Sequence, residues 1–244
     1  MSPDAVAEAG RAADAPARDL RELAWRCLVA IGAGAITGML VGGLGGRLVM
    51  LVIRRASDGS VQGLLTDDGF RIGQFTTATV FLVTVTAGLG GATGGLYLLL
   101  RGAMPRRGRA VMWAAALGLY TGADILTPDK FDFAALDPKP FIIVSFVLLP
   151  VVAALTIALA IEWLLTVEPW SRRGLTAVLA LGSLPLVPAL PVFALIAGIV
   201  LAVRRAPQLT DRLRRPSKVI VPIALWLLTA TSGVELWLDA TEIL

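Results

Sequence analysis

The chain contains no histidine and a single cysteine, Cys27. Those two shortages remove disulfides, clustered Cys or His metal sites and every imidazole-based nucleophile or proton shuttle. Lysine is scarce as well, with only Lys130, Lys139 and Lys218, so arginine carries the basic character. Aromatic residues make up 7% of the chain and charged residues 16%. Any catalysis is left to Asp, Glu, Tyr, Ser, Thr, Arg or Lys. The weighting toward Ala, Gly, Val, Leu and Arg is the kind of bias expected from a GC-rich bacterial genome and carries no functional information.

What is present in quantity is apolar sequence, at 56% hydrophobic residues over 244 positions. Residues 27–46, 72–100, 110–123, 140–161, 174–203 and 219–234 contain no Asp, Glu, Lys or Arg. A helix that crosses the hydrocarbon core of a bilayer needs about 20 predominantly apolar residues. The runs therefore predict an all-α protein, a polytopic transmembrane helix bundle of six to seven helices. The expected spans are about 27–53, 75–100, 110–126, 141–165, a broken segment at 174–203, and 219–238. Residues 23–244 form one transmembrane helical domain in this reading. Residues 1–22, rich in Ala, Asp, Arg and Pro, are expected to be a disordered cytoplasmic tail, with no apolar run of signal-peptide length. Helical spacing from Arg18 through Leu20, Leu23, Ala24 and Cys27 places an amphipathic turn at the interface, with Trp25 at headgroup depth.

A net charge of +4 raises the question of nucleic acid, but the basic residues stand at the ends of apolar runs and no soluble face collects them. They serve instead as topology signals, because Lys and Arg concentrate in cytoplasmic loops. Arg11, Arg18, Arg21 and Arg26 precede the first span, Arg101, Arg106, Arg107 and Arg109 join the second to the third, and Arg172 and Arg173 follow the fourth. The basic stretch 204–218 joins them only if residues 174–203 enter the membrane and return to the same side. That arrangement puts sixteen basic residues inside and five outside. It makes the protein a multi-pass component of the cell membrane with its N-terminus cytoplasmic and its C-terminus outside.

The segment supplies a turn where that reading needs one. Pro185, Pro188 and Pro191 recur every three residues, and each lacks an N–H and clashes with the preceding turn. The flanking halves hold about 12 to 14 residues, or roughly 18–21 Å of helix, against a hydrocarbon core of roughly 30 Å. A re-entrant hairpin and a pair of short tilted spans both satisfy this length.

Gly34, Gly38, Gly42 and Gly46 recur every four residues in the first span and share one face, a glycine-zipper-like row. In lipid, small residues allow close backbone approach and a gain in dispersion. The expected partner is the second span, with Gly91 and Gly95 among its glycines. Residues 28–38 also mimic a nucleotide-binding glycine loop, but the third Gly falls one position late and no βαβ alternation follows. No cofactor is expected.

Counting helical rise places Arg47 about 30 Å beyond Arg26, with Asp124 and Glu235 near the same outer interface. Tyr120 stands one turn before Asp124 on the same face, and Thr76, Thr77 and Thr79 enter at that level. Ionisable residues in spans mark functional sites by default and are expected to pair. Arg47 with Asp124 or Glu235, joined by Tyr120, is the candidate binding site, and Asp124 and Glu235 are the candidate catalytic acids. A pair that only ties helices together fits the same residues. Glu162, beside Trp163, reads as an interface residue. The acidic loops Thr66–Gly69 and Asp129–Phe133 match no calcium-loop spacing, and Asp-Gly turns explain part of their composition, so no metal is expected.

Gly46-Arg47-Leu48-Val49-Met50, then Thr66-Asp67-Asp68-Gly69-Phe70 and the Gly-rich second span, resemble a loosely defined, uncharacterised group of prokaryotic multi-span membrane proteins. The resemblance covers about the first hundred residues and implies a membrane location without an activity. Three function classes follow. The first is a small permease-like protein or an accessory membrane subunit. The second is an intramembrane enzyme acting on a lipid or isoprenoid by terpene-cyclase-like acid catalysis. The third is a structural or assembly protein whose basic loops bind anionic lipid or a cytoplasmic partner. The expected partners are the bilayer, other membrane subunits or a lipid-like ligand, and no nucleic acid.

Overall fold

The computed structural model describes residues 3–56, 77–128, 138–168, 172–189 and 207–244, and among the described residues every regular element is helical. Helix α1 spans Pro3–Thr37, passes into a π-helical stretch at Gly38–Gly45, and continues as α2 over Gly46–Ala56. Then follow α3 (Thr77–Leu100), α4 (Arg109–Ile125) and α5 (Lys139–Leu164). Helix α6 (Arg172–Gly182) leads into a 3₁₀ turn at Leu184–Ala189, and α7 covers Pro207–Ile243. Four stretches, Asp19–Ala56, Thr77–Leu100, Lys139–Leu164 and Pro216–Ile243, are long and apolar enough to cross a membrane. With 17 residues, α4 rises only roughly 26 Å and is shorter than those four.

One expectation gives way at the start of the chain. Where the composition predicts a disordered tail, α1 runs back to Pro3. Seven alanines between Pro3 and Arg18 carry the best helix propensity of any residue, against Gly10 and Pro16 within the same stretch.

Helices α1 and α3 are antiparallel and cross closely. A Cβ on Gly34 would overlap the Gly90 carbonyl oxygen, one on Gly38 the carbonyl of Thr86, and one on Gly94 the carbonyl of Ala30. Here the absence of a side chain is required, since two backbones occupy the space that one methyl group would fill. Gly42 continues the contact more loosely, with Thr86 Cβ 3.2 Å from such an atom. Gly46 has turned away toward Leu149 of α5, and Gly91 faces Leu186 of the 3₁₀ turn and Ile31. Among the described residues nothing lies within 4 Å of a Cβ on Gly95. Four residues overshoot one α-helical turn, so a four-residue row drifts around the axis, and the π-helical ladder adds its own change of phase.

Helix α4 packs antiparallel to α5, with Val151 Cα 2.5 Å from a Cβ on Gly118 and Val147 beside Gly122. Helix α7 runs parallel to α4, from Leu225 in the cluster around Trp113 to Leu236 beside Gly122. At one end of the bundle, Ile53, Leu126, Ile142, Ile143 and Ile243 form a cluster, and Lys139 Nζ donates to the Ile243 carbonyl at 3.0 Å. The opposite end collects Trp25, Tyr97, Met104, Trp113, Ile161 and Leu164.

Helix α6 runs parallel to α1, with Arg172 on Glu22, Leu179 on Gly32 and Gly182 against Ile36. The 3₁₀ turn that follows buries Leu186 with Ala35 and Ala87, beside Gly91. The proline-rich turn thus meets the α1–α3 crossing at mid-height. Threonines inside the apolar helices satisfy their hydroxyls locally: Thr84, Thr86, Thr156, Thr229 and Thr231 each donate to the carbonyl four residues back. That habit suits a solvent without water.

Candidate functional site

The densest polar arrangement lies at the arginine-rich end and centres on Glu162, in the last turn of α5. Tyr97, on the last turn of α3, is fully buried and tilts at 59° against Trp113 of α4, with ring centroids 5.6 Å apart. Its hydroxyl donates to Glu162 Oε1 at 2.8 Å. Four residues on, the Arg101 amide bonds the Tyr97 carbonyl at 2.7 Å, so α3 in effect extends one more turn and sets the Arg101 guanidinium on the same face. Arg101 grips the carboxylate bidentately, Nε to Oε1 at 2.7 Å and Nη2 to Oε2 at 2.9 Å. The bond to the Glu162 carboxylate, the largest influence on Arg101, holds its guanidinium above the usual arginine range.

Arg109 reaches the same carboxylate from the start of α4. Gly108, at φ +78°, turns the chain in the left-handed region that glycine alone adopts without strain, and Arg109 Nη2 then donates to Glu162 Oε2. Glu162 therefore accepts four hydrogen bonds, and its donors come from α3, the α3–α4 turn and α4. Side-chain exposures of 31% for Arg101, 17% for Arg109 and 22% for Glu162 place the group between water and core. Trp113 Nε1 is buried without an acceptor among the described residues.

A second tie joins α1 to α6 at the same end. Glu22 accepts from Arg26 Nε at 3.0 Å, one turn along, and from Arg172 Nη1 at 2.8 Å. The Arg172 guanidinium lies 5.0 Å from the centre of the Trp25 ring, a cation–π contact that covers an indole expected at the interface. Trp25 is thereby buried.

The residues singled out from the sequence lie at the other end and are not assembled alike. Arg47 is buried at 8% exposure on α2. Asp124 and Glu235 are exposed, as is Tyr120, and among the described residues neither carboxylate forms an ion pair. Helical rise fixes the depth of a residue but not the direction it faces, and both acids face outward. Thr79 is buried and Thr77 exposed. Thr76, both acidic loops, Pro191 and Arg204 and Arg205 lie outside the described residues.

The Glu162 group went unrecognised in the sequence because Glu162 lies 53 to 65 positions from its partners. One signal was available. Glu162 is the only carboxylate between residues 138 and 167, and it stands level with a turn that carries four arginines. No family model, curated protein or solved structure matches the chain, so its function is read from these residues alone.

Proposed function

We propose that this chain is a non-enzymatic polytopic membrane protein, an accessory subunit with a permease-like helical scaffold. The observation that carries this reading is the saturation of Glu162. A carboxylate that accepts four hydrogen bonds from three neighbouring segments is committed to holding helices together, and has no lone pair to spare for proton transfer. Asp124 and Glu235, the acids that intramembrane chemistry on an isoprenoid would use, stand exposed and form no ion pair among the described residues. The close α1–α3 crossing and the Leu186 plug beside Gly91 favour a packed scaffold.

In this reading the arginine-rich end faces the cytoplasm and the Ile243 end faces outward, following the positive-inside rule. We take the broken segment at 174–203, of which residues 174–189 are described, as a re-entrant hairpin. Its first half enters beside α1, its turn meets the α1–α3 crossing, and α7 sets out again from the arginine-rich end. Irregular backbone at that depth is tolerated where protein buries it, and Leu186 of the turn is buried against Ala35 and Ala87.

Two measurements test the proposal. Native mass spectrometry of the full chain, released from its own membrane in mild detergent, is expected to show a stoichiometric protein partner. The Asp124→Asn and Glu235→Gln variants are expected to retain it. A copurifying isoprenoid or lipid that the wild type converts and either variant leaves unchanged would replace this reading with the enzymatic one.

A further inference from the structure

We infer that the α3–α4 turn, residues 101–109, is a binding site for the headgroup of an anionic phospholipid, with Arg106 and Arg107 holding the phosphate. The turn and its neighbour carry four arginines against one carboxylate, a surplus of three positive charges. Glu162 divides those arginines into two kinds. Arg101 and Arg109 are clamped onto it and shape the floor of the turn. Arg106 and Arg107 are exposed, and among the described residues they make no ion pair. Both lie within three residues of Arg109, on a turn fixed at one side by the Glu162 clamp and at the other by the left-handed Gly108.

Little negative charge is available at this end to compensate them. Glu22 is taken up by Arg26 and Arg172, and among the residues whose side chains are described, the other carboxylates here besides Glu162 are the exposed Asp19 and Glu168. No side chain caps the start of α4, so its first-turn amides add a positive pole on the side of the turn next to Arg107. The depth is that of a headgroup. Arg101 directly follows the apolar helix α3, and Trp163, next to Glu162, leaves 65% of its surface exposed, as an indole at the membrane–water boundary does. Basic clusters at the ends of spanning helices attract anionic lipids, each arginine near the surface contributing about a fivefold gain in binding. A planar guanidinium pairs with phosphate oxygens bidentately, which gives Arg106 and Arg107 an advantage over lysines in the same place.

The site is tested by native mass spectrometry of the full chain in detergent, titrated with phosphatidylglycerol and, separately, with phosphatidylcholine. Phosphatidylglycerol is expected to be retained preferentially, and the Arg106→Gln/Arg107→Gln pair is expected to weaken its retention by about thirtyfold. Both side chains are exposed, so the variant is expected to melt with the wild type, and a Glu168→Gln control is expected to retain the lipid at least as well. Equal retention of the two lipids, or unchanged phosphatidylglycerol retention in the double variant, would overturn the assignment. Displacement of phosphatidylglycerol by millimolar inorganic phosphate would also overturn it, because the turn would then be a site for a free anion.

Discussion

Replacing Glu162 by glutamine removes one negative charge while keeping the shape of the side chain. The amide has one acceptor oxygen where the carboxylate has two, and its NH₂ faces guanidinium donors. Breaking one partner out of a buried ion pair costs about 3–5 kcal/mol, and the partial exposure of this group reduces that to about 2–3 kcal/mol. For a chain of this length, about 2–4 °C is lost per kcal/mol, so the melting midpoint is expected to fall by about 4–12 °C. The assay is intrinsic tryptophan fluorescence of the purified chain during heating in mild detergent, with Trp113 close to the perturbed group. Asp124→Asn and Glu235→Gln serve as matched controls and are expected to stay within about 0.5 kcal/mol of the wild type. In the Glu162→Gln background, Arg101→Gln is expected to cost less than it does alone, with a coupling of about 1–2 kcal/mol. A Glu162→Gln protein that melts with the wild type, or controls that fall as far, would refute the structural role assigned to this carboxylate.

The α1–α3 crossing makes a paired prediction. Gly34→Ala pushes a methyl group into the Gly90 carbonyl and is expected to cost about 1–3 kcal/mol, whereas Gly95→Ala meets open space and is expected to be neutral or stabilising by up to about 1 kcal/mol. Equal melting of the two variants would remove the crossing as a source of stability. Gly182→Ala is expected to destabilise by about 1–2 kcal/mol through collision with the Ile36 side chain, and to do less harm in an Ile36→Ala background; simple additivity would show that α6 is not pressed against α1. For orientation, single cysteines are introduced as Arg106→Cys, Thr166→Cys and Leu244→Cys in a Cys27→Ser chain. An impermeant maleimide applied to intact cells is expected to label only the Leu244→Cys protein, and the reverse pattern would invert the topology.

The parts of the fold that depend on one dimension were readable in advance. Helices α3, α4 and α5 fall close to the expected 75–100, 110–126 and 141–165, because apolar runs and charge boundaries record where a chain can leave water. The proline spacing announced the break after Gly182, since Pro185 and Pro188 forbid a regular ladder whatever surrounds them. What depends on rotation about a helix axis was not readable. Gly34 and Gly38 meet α3 while Gly46 does not, although all three obey the same spacing, because drift and the π-helical stretch change the phase; on α3, Gly90 and Gly94 meet the α1 backbone while Gly95 does not. Asp124 and Glu235 are exposed, and spacing along a helix does not tell which way a side chain faces. Arg101 and Arg109 were read as topology charges, and nothing local distinguishes an arginine that only sets orientation from one that a carboxylate 53 or 61 residues away will hold.

Among the described residues, helix α7 packs chiefly against α4. Within its most apolar window only 11% is buried, and among the described residues its support comes from α4, from the Ile243 cluster at its end and from the Lys139–Ile243 bond. A ribosome delivers this helix after the others are already made. The α1–α3 crossing, the α4–α5 pair and the Glu162 clamp contain no residue of α7, so the body of the bundle can close before α7 leaves the insertion machinery. Biogenesis then has a definite order: a core that matures on its own contacts, followed by one helix that arrives late and settles along α4, with Trp226 and Trp237 left on the outside.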